Sequence, residues 1–192
     1  MAAITTPARR ALHADRVNEI LVYWFGSVTE PKQNFSLWFE GSPAIDAEIT
    51  SKFKLDVEKA QRGDYLSWLS EPHAALALCI TLDQFSLNIY RDKPEGYMGS
   101  ASAIPLEYTA IGRGFDQQVN PIMRSFFYLP LMHSEHEADQ KKCVQLYPPG
   151  DEFAAMHHDV VVKYGRFPGR NTVMGRAATA AEEAYLAQGG VF

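Results

Sequence analysis

Apolar positions recur at helical spacing along most of the chain, and turn residues bracket nearly every such stretch. Over residues 11–25, Leu12, Val17, Ile20, Leu21 and Trp24 fall on one side and Gly26 supplies a stop. Ser42 and Pro43 read as an N-cap followed by a proline at the first helical position, with Ile45, Ile49, Phe53 and Val57 carrying the stripe to Gly63. Residues 72–90 differ, because the run 74–80 is apolar on every side, and this predicts a helix at the centre of the molecule. A helix over 102–111 ends at Gly112, with Pro105 expected to confine it to its later part. Asn120 and Pro121 open the aromatic stretch Ser125, Phe126, Phe127 and Tyr128, which Pro130 should terminate. Ser134 and Glu137 fit a capping box for a helix reaching Tyr147, where Pro148, Pro149 and Gly150 stop it. Residues 151–164 follow, and Thr179 with Glu182 is a second capping box for a short helix ending at Ala187. Residues 165–178 carry no period and read as an irregular segment.

Strand alternation is scarce, so the pattern predicts an all-α protein of about seven helices, with short loops making antiparallel neighbours the default. No Pro/Ser-rich linker divides the chain and no repeat emerges, which predicts one domain over residues 1–192. The length of 192 residues suffices for a sizeable core without cross-links. Eighteen Lys and Arg against 23 Asp and Glu give a net charge of −5, which argues against a coat for nucleic acid or an anionic membrane. Cys79 and Cys143 stand far apart in apolar stretches, supporting neither a disulfide framework nor a thiolate zinc site. Arg9, Arg10, Asp15, Arg16 and Glu19 precede the first apolar run, which is too short and polar-flanked for a signal peptide. A cytoplasmic protein without a membrane span is expected.

Three regions could carry chemistry. On the helix over 72–90, Gln84, Asn88 and Arg91 share a polar face, and Asp83 lies between the apolar Cys79 and Leu87. A buried carboxylate needs a cation or several donors, so Asp83 is expected either to pair with an arginine that fixes helix packing or to serve a site. His133, His136, Glu137 and Gln140 can share a helix face, with His157 or His158 as further nitrogens, but they lack a recognised metal spacing. No metal or cofactor is expected. Residues 163–176 concentrate Lys163, Arg166, Arg170 and Arg176 among glycines in an acidic protein, which suits a carboxylate or phosphate. Alternatively these arginines clamp Asp83, Glu135 or helix C-termini.

The order of Ile20, Leu21, Trp24, Phe25 and Gly26, then Leu82, Asp83, Gln84, Phe85, Asn88, Ile89, Tyr90 and Arg91, then Tyr128 to Glu135, Gln140 and His157, ending in Gly165, Arg166, Phe167, Pro168, Arg170, Asn171, Gly175 and Arg176, resembles the DUF924 family across nearly the whole chain. The resemblance implies an all-α, tetratricopeptide-like α-α superhelix and brings no activity. Leu87 stands where that pattern has arginine, Ser100 where it has aspartate and Gly169 where it has histidine. Leu87 therefore removes an i, i+4 partner of Asp83, which must borrow its cation elsewhere. The three departures together imply a pruned polar centre.

The leading expectation is a helical binding protein whose groove, lined by Asn88, Arg91, His133, Glu135, His157, Arg166, Arg170 and Asn171, holds a small anionic ligand or an acidic peptide end. Its rival is a hydrolase-type enzyme with His133 or His157 as general base, Glu135 or Asp83 orienting it, and Arg170 stabilising an anion. In a third reading the motifs form only a buried salt-bridge network, with a partner surface elsewhere. A histidine within hydrogen-bond reach of both a carboxylate and an open pocket separates the first two.

Overall fold

In the computed structural model, which describes residues 7–190 and 192 with side chains from residue 13 onward, regular structure is helical throughout and no strand occurs among the described residues. Nine α-helices are described: α1 (Pro7–Phe25), α2 (Pro43–Gln61), α3 (Pro72–Leu82), α4 (Gln84–Ile89), α5 (Pro94–Gly112), α6 (Pro121–Met132), α7 (Glu137–Leu146), α8 (Glu152–Tyr164) and α9 (Ala180–Ala187). The placement expected for Leu12 lies outside the described side chains. Four of these helices begin with the caps read from the sequence or with the same chemistry. Ser42 accepts from the Ile45 amide, Asn120 from that of Ile122 and Asp151 from that of Ala154, while Thr179 and Glu182 complete a capping box.

The all-apolar helix is central, as its composition requires. Every residue of α3 from Ala75 to Leu82 is buried, and α1, α2, α5 and α6 pack around it. Aromatic rings fill the joints between these helices: Phe53 of α2 stacks on Phe85 of α4 at 4.5 Å, and Trp24 of α1 meets Phe85 and Phe126 edge-on. A second, smaller cluster of Val160, Val161 and Phe167 joins α8 to the segment after it.

The count exceeds about seven partly because the helix expected over 72–90 bends at Asp83 into α3 and α4. The backbone ladder nevertheless runs on, with Asp83 N–H bonded to Cys79 and Leu87 N–H to Asp83. Pro105 does not confine α5. The carbonyl it leaves without a donor belongs to Ala101, which is exposed and can bond water, so the lost ladder bond costs little there. Pro130 does not terminate α6 either: Leu131 and Met132 continue the helix and are buried, and that apolar burial outweighs one missing bond. Ser134 and Glu137 form no capping box. The Ser134 hydroxyl donates to Asp139 and accepts from the His136 amide, Glu137 pairs with Lys141, and α7 opens at Glu137 with His136 as its cap.

Candidate functional site

The bend at Asp83 places its carboxylate, 1% exposed, opposite the C-terminus of α6. The residue capping that terminus is His133, whose Nδ1 lies 2.8 Å from Asp83 Oδ1. Gln84 Nε2 donates to the second oxygen, Oδ2, at 2.5 Å. Burial alone would raise the Asp83 pKa, but the charge and hydrogen bond of His133, with Gln84 helping, hold it below the usual carboxylate range. The Ser100 hydroxyl lies buried beside this carboxylate without a well-formed hydrogen bond. An ionised carboxylate only accepts hydrogen bonds, so His133 carries its proton on Nδ1 and, in the neutral ring, leaves Nε2 as an open acceptor. The expected arginine partner of Asp83 is replaced by a histidine.

His133 also lines a cleft of about 310 Å³ between α4, the start of α5, the end of α6 and a wide helical turn at Ser36–Glu40. Gln84, Asn88 and Arg91, the polar stripe, open onto it as well. Arg91 and Asn88 are not free, however. Arg91 Nε and Nη2 donate to Asp46 at 2.5 and 2.7 Å, Asn88 Nδ2 donates to the same carboxylate at 2.9 Å, and the arginine holds the Asp46 pKa down. Lys93, on the rim, makes no ion pair among the described residues. A larger cleft of about 510 Å³ between α1 and α3 includes His13, His73 and Glu71.

The other expected site residues lie outside the cleft. Glu135 does not orient His133: it accepts from the Phe167 amide at 2.8 Å and from both terminal nitrogens of Arg176, which lower its pKa against its own desolvation. His157 is neither base nor ligand contact in this cleft. Its Nδ1 faces the Phe153 carbonyl at 2.7 Å, its ring packs on Phe192 at 3.8 Å, and burial pushes its pKa down to about 4. Arg166 is structural, as a fork on Glu182 with a further bond to the Ala177 carbonyl rather than to the end of α8. Asn171 is buried, with no hydrogen-bond partner for its side-chain amide among the described residues.

Arg170 has no carboxylate partner among the described residues. Its guanidinium lies between the rings of Tyr97, at 4.6 Å, and Phe167, at 4.3 Å, and Nη1 donates to the His133 carbonyl at 2.8 Å. It stands behind the cleft, supporting Tyr97 and the backbone of His133. Among the described residues no group of three or more His, Cys, Asp or Glu could hold a metal; Gln140 donates its Nε2 to the carbonyls of Leu131, Met132 and Ser134, while its Oε1 is buried without a hydrogen-bond partner among the described residues.

Sequence reasoning passed over Asp46 and Tyr97. Asp46 looks like an ordinary acid in a first helical turn, and its partner Arg91 lies 45 positions away. Tyr97 follows Pro94 by one turn, and nothing local marks the face it presents.

The model of a bacterial protein family of unknown function, DUF924, matches residues 20–190. The chain belongs to the DUF924 family. A solved structure, the protein of unknown function ATU0120 from Agrobacterium tumefaciens, is similar at 34% identity and a TM-score of 0.82, covering 94% of this chain and 99% of that one. No protein with curated annotation matches. The three positions read from the sequence as departures, Leu87, Ser100 and Gly169, lie near the residues just described. Leu87 lines the cleft, Ser100 is buried beside Asp83, and Gly169 donates its amide to Phe192 at 2.7 Å, where an added Cβ would come within 2.8 Å of that residue's backbone.

Proposed function

We propose that this protein is a water-activating acid–base enzyme of hydrolase type, with His133 as general base and Asp83 as the group that orients it. One observation carries the reading: a histidine lies 2.8 Å from a buried carboxylate and also lines an open cleft. With Nδ1–H committed to Asp83, Nε2 takes a proton from water while the water oxygen bonds to an electrophilic carbon. The same proton then passes to the leaving heteroatom as its bond to that carbon breaks, so that one water is consumed and acid and alcohol or amine are released. No serine, threonine or cysteine is among the residues described as lining the cleft, and this favours direct attack by water over a covalent intermediate. Lys93, which lines the same cleft, would meet the developing oxyanion, a role the sequence suggested for Arg170.

A pure anion-binding groove has less support. Asp46 offsets the charge of Arg91 and takes a hydrogen bond from Asn88, while Glu135 and Arg166 are already paired. The test is hydrolysis of a panel of small esters and amides, among them ethyl acetate, phenyl acetate, acetamide and benzamide, followed by proton release. His133→Asn should lower the rate on any substrate turned over by about 10²–10⁴-fold. Asp83→Asn, whose amide can donate to Nδ1 and favour the opposite tautomer, should cost a similar factor. Turnover unchanged in His133→Asn, or nitrogen NMR placing the proton of the neutral ring on Nε2, would refute the assignment.

A further inference from the structure

The cleft has a wall that acid–base chemistry alone does not require. Phe39 lines it while remaining 62% exposed, and Phe35 beside it is 56% exposed. Large aromatic side chains at a mouth lose apolar contact that a core would provide, unless something lies on them. Trp38 links them to the body of the protein. Trp38 Nε1 donates to the Trp24 carbonyl at 2.9 Å, and the Trp38 ring meets Phe126 at 4.8 Å and Phe39 at 6.1 Å. Gly41, which closes the turn at φ 52°, lies so close under the Arg91 guanidinium that a Cβ there would come within 2.9 Å of Nη2. The turn is therefore tied to α1 through Trp38 and lies against the Arg91–Asp46 pair.

Tyr97 also lines the cleft, and Arg170 stacks on its ring. Leu87 adds an aliphatic patch. Asp46 offsets the charge of Arg91, which leaves Lys93 as the cleft's unpaired cation among the described residues, beside ring contacts and a few hydrogen bonds near His133. A volume of about 310 Å³ suits one ring with a short polar substituent and is too small for a folded partner.

We propose that the cleft selects small molecules carrying one aromatic ring, seated against Phe39, Leu87 and Tyr97, with the polar bond of the same molecule directed at His133. The ring preference stands on the lining residues, and its use in hydrolysis rests on the function proposed above. The probes are benzamide and benzyl alcohol against acetamide, ethanol and inorganic phosphate, with binding read by ligand-observed NMR on the intact protein. The aromatic pair should bind measurably tighter than the other three. Phe39→Ala, at an exposed position that folding does not need, should weaken benzamide roughly two- to tenfold, and Leu87→Arg should weaken it too. His133→Asn should retain the ring preference while losing any turnover. Equal binding of acetamide or phosphate, or unchanged benzamide affinity in both Phe39→Ala and Leu87→Arg, would overturn the proposal. Ring-selective binding without His133-dependent hydrolysis would support this inference and refute the enzyme reading, whereas His133-dependent hydrolysis indifferent to aromatic groups would do the reverse.

Discussion

His157 and His133 are the same residue type in different surroundings, and their surroundings decide their roles. His133 caps α6 against an ionised partner at a cleft; His157 is buried among Phe167 and Phe192, where charging it is costly. Its folded pKa of about 4 lies below the ordinary histidine value, so between those two values the unfolded chain holds more protons. Stability should thus fall as the pH drops from about 6.5 to about 4, with the His157 share on the order of 3 kcal/mol. Asp83 acts in the same direction lower down: its folded pKa is depressed, so its contribution is present above the unfolded value and is lost as the pH falls through the folded one. Denaturant melts of His157→Leu and the parent at pH 7 and pH 4.5 check this. The variant should lose less stability between the two pH values, and an equal loss would show that His157 does not titrate in that window.

Between elements, the cleft depends on how closely α5 approaches the bend of α3 and α4. Gly99 sets that distance, because a Cβ there would lie 2.3 Å from Ser86 Oγ and 2.5 Å from the Leu82 carbonyl. The serine hydroxyl can rotate away, but Ser86 Cβ, at 2.4 Å, and the backbone oxygen cannot. Gly99→Ala should push α5 off α4 and cost about 1–3 kcal/mol despite the higher helix propensity of alanine. The melting temperature checks the cost. Since Gly96 and Tyr97 of the same helix line the cleft, benzamide binding should weaken in this variant as well. A variant as stable as the parent would show that the contact relaxes freely.

At the scale of the whole molecule, the small apolar cluster of α8 and the segment after it is joined to the main body by polar links as well as by packing of α7 on α8. Arg176 reaches Glu135, Arg170 reaches the His133 carbonyl, and within the C-terminal part Arg166 ties the end of α8 to buried Glu182 of α9. Arg166→Met leaves a buried carboxylate without its cation, whereas Arg170→Met removes one backbone bond and two ring contacts but strands no carboxylate. The loss for Arg170→Met should be about 1–2 kcal/mol, and the loss for Arg166→Met should be larger and accompanied by faster amide exchange over residues 165–187. Melting curves with hydrogen-exchange mass spectrometry separate the two, and a larger loss for Arg170→Met would reverse these roles.

The sequence by itself determined the helical class, the central position of α3 and several of the caps. Each depends on residues within a turn or two of one another: the unbroken apolar run of α3, Ser42 before Pro43, Asn120 before Pro121, and Thr179 with Glu182. It also marked Asp83, since a carboxylate among apolar neighbours on a buried helix has to be paired. Where it failed locally, a competing long-range term won, as when buried Leu131 and Met132 carried α6 past Pro130. Which partner each charge takes was decided only by the tertiary structure. Asp83 lies 50 positions from His133, Asp46 lies 45 from Arg91 and Glu135 lies 41 from Arg176, and in each case several candidates of suitable charge compete. Electrostatic pairing depends on distance and burial in space, which helix packing sets, so the sequence could name the groups that needed partners while only the packed helices could choose among them.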